Sequence, residues 1–278
     1  MLRLSKARTD QPAPPKKEGV GELLRFIFTL AVVTVLIRSF VFVPFSIPSE
    51  SMLPRLLVGD HLFVTKWNYG YSRYSFPFGA VPLEGRVPDR GATRGDVAVF
   101  KAPPTNSDDY IKRVIGLPGD IIQMRDGQLI LNGQPVPKER IADFVVHVSP
   151  NSNCLESQAP RVEELPDGSQ VCRYPRYRET LPGGRQYEVL DQGDFPDRDD
   201  TRVFAVPAGH YFMMGDNRDN SADSRFPAVP GGGISFVPAE NLVGPAVIMY
   251  FSTDGSAEWL KPWTWFTAAR WDRIGGTF

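Results

Sequence analysis

Residues 23–45 read LLRFIFTLAVVTVLIRSFVFVPF, and no other stretch limits the chain as much. A bilayer core takes about 20 predominantly apolar residues to cross, and this run supplies them. Its apolar side chains fall on every helical face, whereas a helix in a soluble core needs only one stripe. Arg25 lies near its start and Arg38 near its end, so both guanidinium groups reach water while their stems cover apolar surface. Ahead of the run come Arg3, Lys6, Arg8, Lys16 and Lys17, which place the N-terminus on the cytoplasmic side by the positive-inside rule. A cleavable leader needs small residues one and three positions before its cut; here the run passes into VFVPFSIPSE, with bulky residues and prolines at those places. The reading is a cytoplasmic segment 1–22, a single anchor 23–45, and a chain that is otherwise outside the cytoplasm.

Of the 278 residues, 31 Lys and Arg balance 32 Asp and Glu, for a net charge of −1, so no global field calls for nucleic acid or an acidic partner. Cys154 and Cys172 are the two cysteines, in a Pro-, Ser- and Asn-rich stretch. In an oxidising space such a pair is either a disulfide or two separate thiols, and spacing does not decide between them.

Beyond the anchor the chain has short β-branched and aromatic runs and almost no helical periodicity. Residues 61–67, 96–102, 109–117, 120–124, 128–132, 202–207, 210–215 and 242–251 read as strands ending at Gly, Pro or Asp. Asp126-Gly127 marks a hairpin and Asn132-Gly133 the next turn. The plan is mainly β: a core in two parts, 46–137 and 203–252, with a smaller subdomain or loops inserted at 138–202. The tail 253–278 mixes Trp and Phe with Arg270 and Arg273, which suits either a membrane interface or the domain's own surface.

Much familiar chemistry is missing. His61, His147 and His210 stand apart, with no H-E-x-x-H, and there is no G-x-S-x-G elbow and no Walker A loop. GDNRDNSADSRF, at 215–226, fails as a calcium loop: after Asp219-x-Ser221-x-Asp223 no Gly follows, and Pro230 stands where the terminal Glu belongs. It suits a tight network of small polar groups instead. A serine nucleophile without histidine needs another base, and lysine serves if burial lowers its pKa. Lys112, in DYIKRVIGLPGD, sits in a strand apolar on both faces. Ser51 lies in PSESMLP, between Pro48 and Pro54, with Met52 and Leu53 able to anchor it to apolar surface. Ser49 falls on the same side of an extended segment and can donate to an oxyanion.

PSESMLP, GDVAVF, YIKRVIGLPGD and GDNRDNSADSR, in this order behind an anchor, resemble the type I signal peptidases (bacterial leader peptidases), the Ser-Lys serine proteases of family S26. The resemblance implies a signal-peptidase-type β-sheet, barrel-like catalytic core. It implies Ser51 as nucleophile, Lys112 as general base, and Ser49 with the Ser51 backbone N–H as oxyanion hole. Ser221 would orient the lysine amine, and Asp223 and Arg225 would form a supporting ion pair. It also implies removal of N-terminal signal peptides from secreted preproteins, cut after small residues of the A-x-A kind, with no cofactor and no metal. The setting would be the bacterial inner membrane, single-pass, with the catalytic domain periplasmic. The partners would be secretory preproteins, membrane lipid and a nearby secretion translocon, with no nucleic acid. Arg55 departs from the pattern, since Thr most often stands there, and Cys154 and Cys172 are farther apart than in bridged relatives. Self-cleaving repressors with a related core carry a DNA-binding domain, for which the N-terminal segment leaves no room. A tethered, inactive binding module is the non-enzymatic alternative, and intact Ser51, Lys112 and Ser221 argue against it.

Overall fold

The computed structural model describes residues 19–79, 81–154, 161–258 and 260–278, so the basic residues ahead of the apolar run lie outside the described residues. Two compact units result, Met1–Leu36 and Ile37–Phe278. The helix Val20–Phe40 begins with Glu22 in its first turn and ends with Arg38 in its last, charges that oppose the macrodipole. It is long and apolar enough to cross a membrane, and it fits a membrane anchor.

The anchor boundary expected at residue 45 is corrected. The helix stops at Phe40, and Phe42–Ser46 is a strand, paired antiparallel with Asp60–Thr65 from Phe42↔Thr65 to Ser46↔His61. Pro44 breaks a helix because it lacks an N–H and its ring collides with the preceding turn. The strand sits at the sheet edge, where a missing donor is tolerated.

From that edge the main sheet runs Phe42–Ser46, Asp60–Thr65, Leu242–Ser252, Val97–Lys101, Asp109–Gly116, His210–Met214 and Val237–Pro238, with every neighbour antiparallel. A second sheet orders Phe204–Ala205, Ile121–Arg125, Gln128–Leu131 and Gln134–Pro135. Its two turns are the expected ones. Asp126 and Gly127 have φ of 49° and 67° between Arg125 and Gln128, and Asn132 and Gly133 have 53° and 77° between Leu131 and Gln134. Positive φ at both central residues twists the hairpin in the sense its strands need.

The stretch 138–202 is far more regular than its polar, proline-punctuated sequence suggests. Gln170–Thr180 pairs with Lys138–His147, Arg161–Glu164 and Gln186–Leu190 in a third sheet. Its alternation is hidden because the outer face carries charges, such as Arg176 against Glu188 at 3.0 Å and Arg173 against Glu163 at 2.7 Å. A disulfide joins Cys154 to Cys172 with Cα atoms 5.7 Å apart, and both cysteines pack against Tyr174, Leu53 and Leu190.

The tail divides. Gly275 and Gly276 exchange backbone hydrogen bonds with Met249, and Arg273 pairs with the buried Asp60 at 2.6 Å, so its last residues pack on the domain's own surface. Leu260, Trp263, Phe266 and Trp271 remain exposed.

Candidate active site

The segment after the first strand does not run extended, as the sequence reading had it. Pro48 to Leu57 folds into successive turns, with Leu53 N–H donating to the Glu50 carbonyl at 3.0 Å and Leu56 N–H to Met52 at 2.9 Å. The cause lies in the apolar side chains: Met52 and Leu56 are fully buried, and Leu53 and Leu57 nearly so, a set only a coiled backbone can sink at once. Ser49 and Ser51 still approach, with their hydroxyl oxygens 3.5 Å apart. Ser49 is exposed and Ser51 largely buried.

Lys112 comes from the centre of the strand Asp109–Gly116, where Ala98 faces it on one neighbouring strand. Its Nζ donates to Ser51 Oγ at 2.5 Å across 61 positions of sequence. Only 4% of the residue is exposed. Burial pushes its ammonium down to about 8 from 10.5; Asp223 and Asp216 oppose the shift, and Arg225 adds to it. Strand alternation sends the next side chain, Arg113, to the opposite face, where it grips Asp216 through two hydrogen bonds of 2.7 and 2.6 Å.

The loop after His210–Met214 closes around both residues. Asp223 and Arg225 form a fully buried ion pair at 2.9 Å. Burial opposes ionisation of Asp223, but the guanidinium and the N–H groups of Gly215 and Arg225 hold the carboxyl below its usual range. Arg225 also donates to the Arg218 carbonyl at 2.6 Å, which ties the ion pair into the loop. Ser221 is buried, and its hydroxyl has no hydrogen-bond partner among the described residues, so the expected bond to the lysine amine is not made. It presses on Gly215, where an added Cβ would lie 2.2 Å from Ser221 Oγ and 2.5 Å from the Ser51 carbonyl oxygen. Glycine is required here by close approach.

Two residues in these same stretches carry contacts that no local pattern announces. Asn217 bonds the Ser51 segment twice, and Arg218 forms a buried two-bond pair with Glu179 at 2.8 and 2.5 Å. Glu179 belongs to the third sheet, so Arg218 locks that insertion to the loop. The only available signal was their place among the small polar residues of GDNRDNSADSR; their partners are remote in sequence.

A cavity of about 340 Å³ opens at the pair, lined by Ser49, Ser51, Tyr110, Lys112, Asn220 and Ala222. Chemically, the arrangement offers a hydroxyl bonded to a buried amine, a second hydroxyl at the rim, and space for an extended chain. Asp191, Asp199 and Asp219 place carboxylate oxygens within 4.8 Å of one another, but Lys138 is bonded to Asp191 and backbone N–H groups occupy oxygens of the other two.

A family model described as signal peptidase, peptidase S26, matches residues 20–251. A signal peptidase I of Rickettsia typhi is 37% identical over 240 residues, covering 84% of this chain and 80% of its own. Another, of Rickettsia massiliae, is 36% identical over 236 residues, covering 82% and 78%. Among solved structures, a signal peptidase I from Enterococcus faecalis V583 matches at 23% identity with a TM-score of 0.28, over 56% of this chain and 97% of that one. Identity above one third over four fifths of the chain, with the family model spanning anchor and main sheet, places the chain in the signal peptidase family, peptidase S26, a family of serine endopeptidases.

Proposed function

We propose that this chain is a membrane-bound endopeptidase that removes N-terminal signal peptides from secreted preproteins through a Ser51–Lys112 dyad. The observation that carries the reading is the 2.5 Å hydrogen bond from a buried Lys112 amine to Ser51 Oγ. At pH 7, an amine whose pKa falls from 10.5 to about 8 is neutral roughly 300-fold more often. Neutral Lys112 takes the Ser51 proton as Oγ attacks the scissile carbonyl carbon. The oxyanion is met by the Ser49 hydroxyl and the Ser51 backbone N–H. The C–N bond then breaks, and Lys112 returns the proton to the leaving amine. Water, deprotonated by the same lysine, cleaves the acyl ester and regenerates Ser51. Ser221 contacts the site through Gly215, and its unpaired hydroxyl is available to the amine once substrate draws Ser51 away. Asp223 and Arg225 hold the loop in place behind them.

An extended substrate presents alternate side chains to one wall, so residues one and three positions before the cut face the enzyme together. The modest cleft beside Ala222 suits small residues of the A-x-A kind. The helix anchors the site at the membrane, with the N-terminus cytoplasmic and the catalytic domain outside, beside lipid and the secretion translocon. The decisive experiment incubates the detergent-solubilised full chain with an A-x-A preprotein in EDTA, beside Ser51→Ala and Lys112→Ala. Product from wild type only is expected; product from either variant, or none from folded wild type, refutes the dyad.

A further inference from the structure

A second cavity, apart from the Ser51 cleft, is about twice its volume. It measures about 710 Å³, within the range typical of ligand sites, and its lining concentrates positive charge. Arg38 comes from the last turn of the apolar helix, Lys66 follows the strand Asp60–Thr65, Arg73 opens the short helical turn Arg73–Ser75, and Lys101 ends the strand Val97–Lys101. Asp109 is the one carboxylate in the lining, and Lys101 already holds it at 3.0 Å. Arg38, Lys66 and Arg73 have no carboxylate partner among the described residues. A chain of net charge −1 thus gathers four cations against one anion around a single space.

Within this group the cost falls on Lys66. Lys66 is 6% exposed, and its Nζ is offered only a neutral acceptor, the Ser75 carbonyl at 2.5 Å. Burial, with the nearby Arg38 charge second, pushes its ammonium down to about 8. An anion in the cavity would relieve both effects. The other half of the lining is apolar, with Val43, Phe45, Phe76 and Val243 facing the same space. A free inorganic anion has no use for that half, whereas an amphiphile has.

The position of the cavity follows from its walls. The Tyr71 hydroxyl donates to the Phe40 carbonyl at 3.0 Å, and the rings of Tyr71 and Phe76 each meet the Phe40 ring at 5.5 Å. The cavity is therefore fastened to the last residue of the anchor helix, at the depth where headgroups lie. We propose that it binds the phosphodiester headgroup of an anionic phospholipid, with the cations around the phosphate and the aromatic wall against the glycerol and upper acyl chain. This rests on the reading that Val20–Phe40 spans the bilayer. A seated headgroup would hold the domain at a set height on the membrane.

The test uses the full chain in a nonionic detergent, titrated calorimetrically with dihexanoyl phosphatidylglycerol, dihexanoyl phosphatidylcholine or inorganic phosphate. The proposal expects saturable binding of phosphatidylglycerol alone, weakened about tenfold or more in the Arg38→Gln/Arg73→Gln double variant. Both arginines are exposed, so the fold should tolerate the change. Cleavage of a preprotein in lipid-free detergent should match wild type. Equal binding of both lipids, undiminished binding by the variant, or inorganic phosphate bound as tightly as phosphatidylglycerol would each overturn it, the last in favour of a free-anion site. Insertion of the chain into neutral vesicles separately tests the anchor, and cleavage in detergent tests the peptidase, so failure of either reading is told apart from failure of the headgroup site.

Discussion

Asn217 holds Ser51 from behind: its backbone N–H donates to the Ser51 carbonyl at 3.1 Å, while its Nδ2 donates to the preceding carbonyl, Glu50, also at 3.1 Å. Gln192 in turn donates to Asn217 Oδ1 at 2.7 Å, which fixes the carboxamide orientation. Two bonds from one fully buried residue set the direction in which Oγ leaves the backbone. Asn217→Ala should lower kcat by about 10- to 100-fold, since leaving buried polar groups unpaired costs about 1–3 kcal/mol. The pH inflection should stay where it is, because the lysine is untouched. An inflection that moves with the substitution would show that Asn217 acts on the base instead of the serine backbone.

In the proposed mechanism Lys112, as base, sets the pH profile. With Lys112 pushed down to about 8, kcat/KM should rise roughly tenfold per pH unit below that value and level off above it. The sign for stability follows from the same shift. The folded state releases this proton more readily than the unfolded chain, so the contribution of Lys112 to stability grows as pH rises from about 8 toward 10.5. Lys112→Met should therefore abolish cleavage and raise Tm at pH 7. Lys112→Arg should be inactive, because guanidinium stays protonated. Activity in the arginine variant would remove proton transfer by this residue from the mechanism.

Gly215 tests the packing between Ser221 and Ser51. A methyl group there would collide with the Ser221 side chain and the Ser51 carbonyl together, both at 2.5 Å or less. Gly215→Ala should push the serine segment off line and cost about 100-fold in kcat, with circular dichroism unchanged. Full activity would mean that the loop yields without moving Ser51.

Asp219 carries a penalty the fold has retained. Burial first, and the neighbouring Asp191 and Asp199 carboxylates next, push it up to about 6 from 3.8, against the hydrogen bond it accepts from the Gln192 N–H. The folded state binds this proton more tightly than the unfolded chain, so its contribution to stability is lost as pH rises from about 4 to 6. Asp219→Asn keeps an oxygen for Gln192 and removes the charge. Its Tm should exceed wild type at pH 7 and converge with it near pH 4. A lower Tm at pH 7 would show that the carboxylate is needed ionised.

Several features were legible in the sequence because their causes are local. The all-round apolar run declares a helix, and Asp126-Gly127 declares a hairpin because those residues accept positive φ at little cost. Ser51 and Lys112 are candidates by the composition of their short stretches, and it is the joint occurrence of PSESMLP, YIKRVIGLPGD and GDNRDNSADSR that singles them out. The end of the helix at Phe40 was not legible, because Phe42–Ser46 is as apolar as the helix before it and becomes a strand only when Asp60–Thr65 pairs with it. The charged face of Gln170–Thr180 likewise concealed its third sheet.

The sequence by itself determined the apolar helix and the mainly β plan, since each follows from residue type and spacing within a few positions, and its family-like motifs marked Ser51 and Lys112 as the candidate pair. Tertiary structure alone decided how those groups meet. Leu242–Ser252 inserts between strands that precede it by well over 100 positions, and this builds the sheet in which Lys112 is buried. Desolvation of an amine, its 2.5 Å contact with Ser51, the grip of Asn217 and the gathering of Arg38, Lys66 and Arg73 all depend on which remote segments become neighbours. Such distances and dielectric surroundings are properties of the folded chain, and no local pattern encodes them.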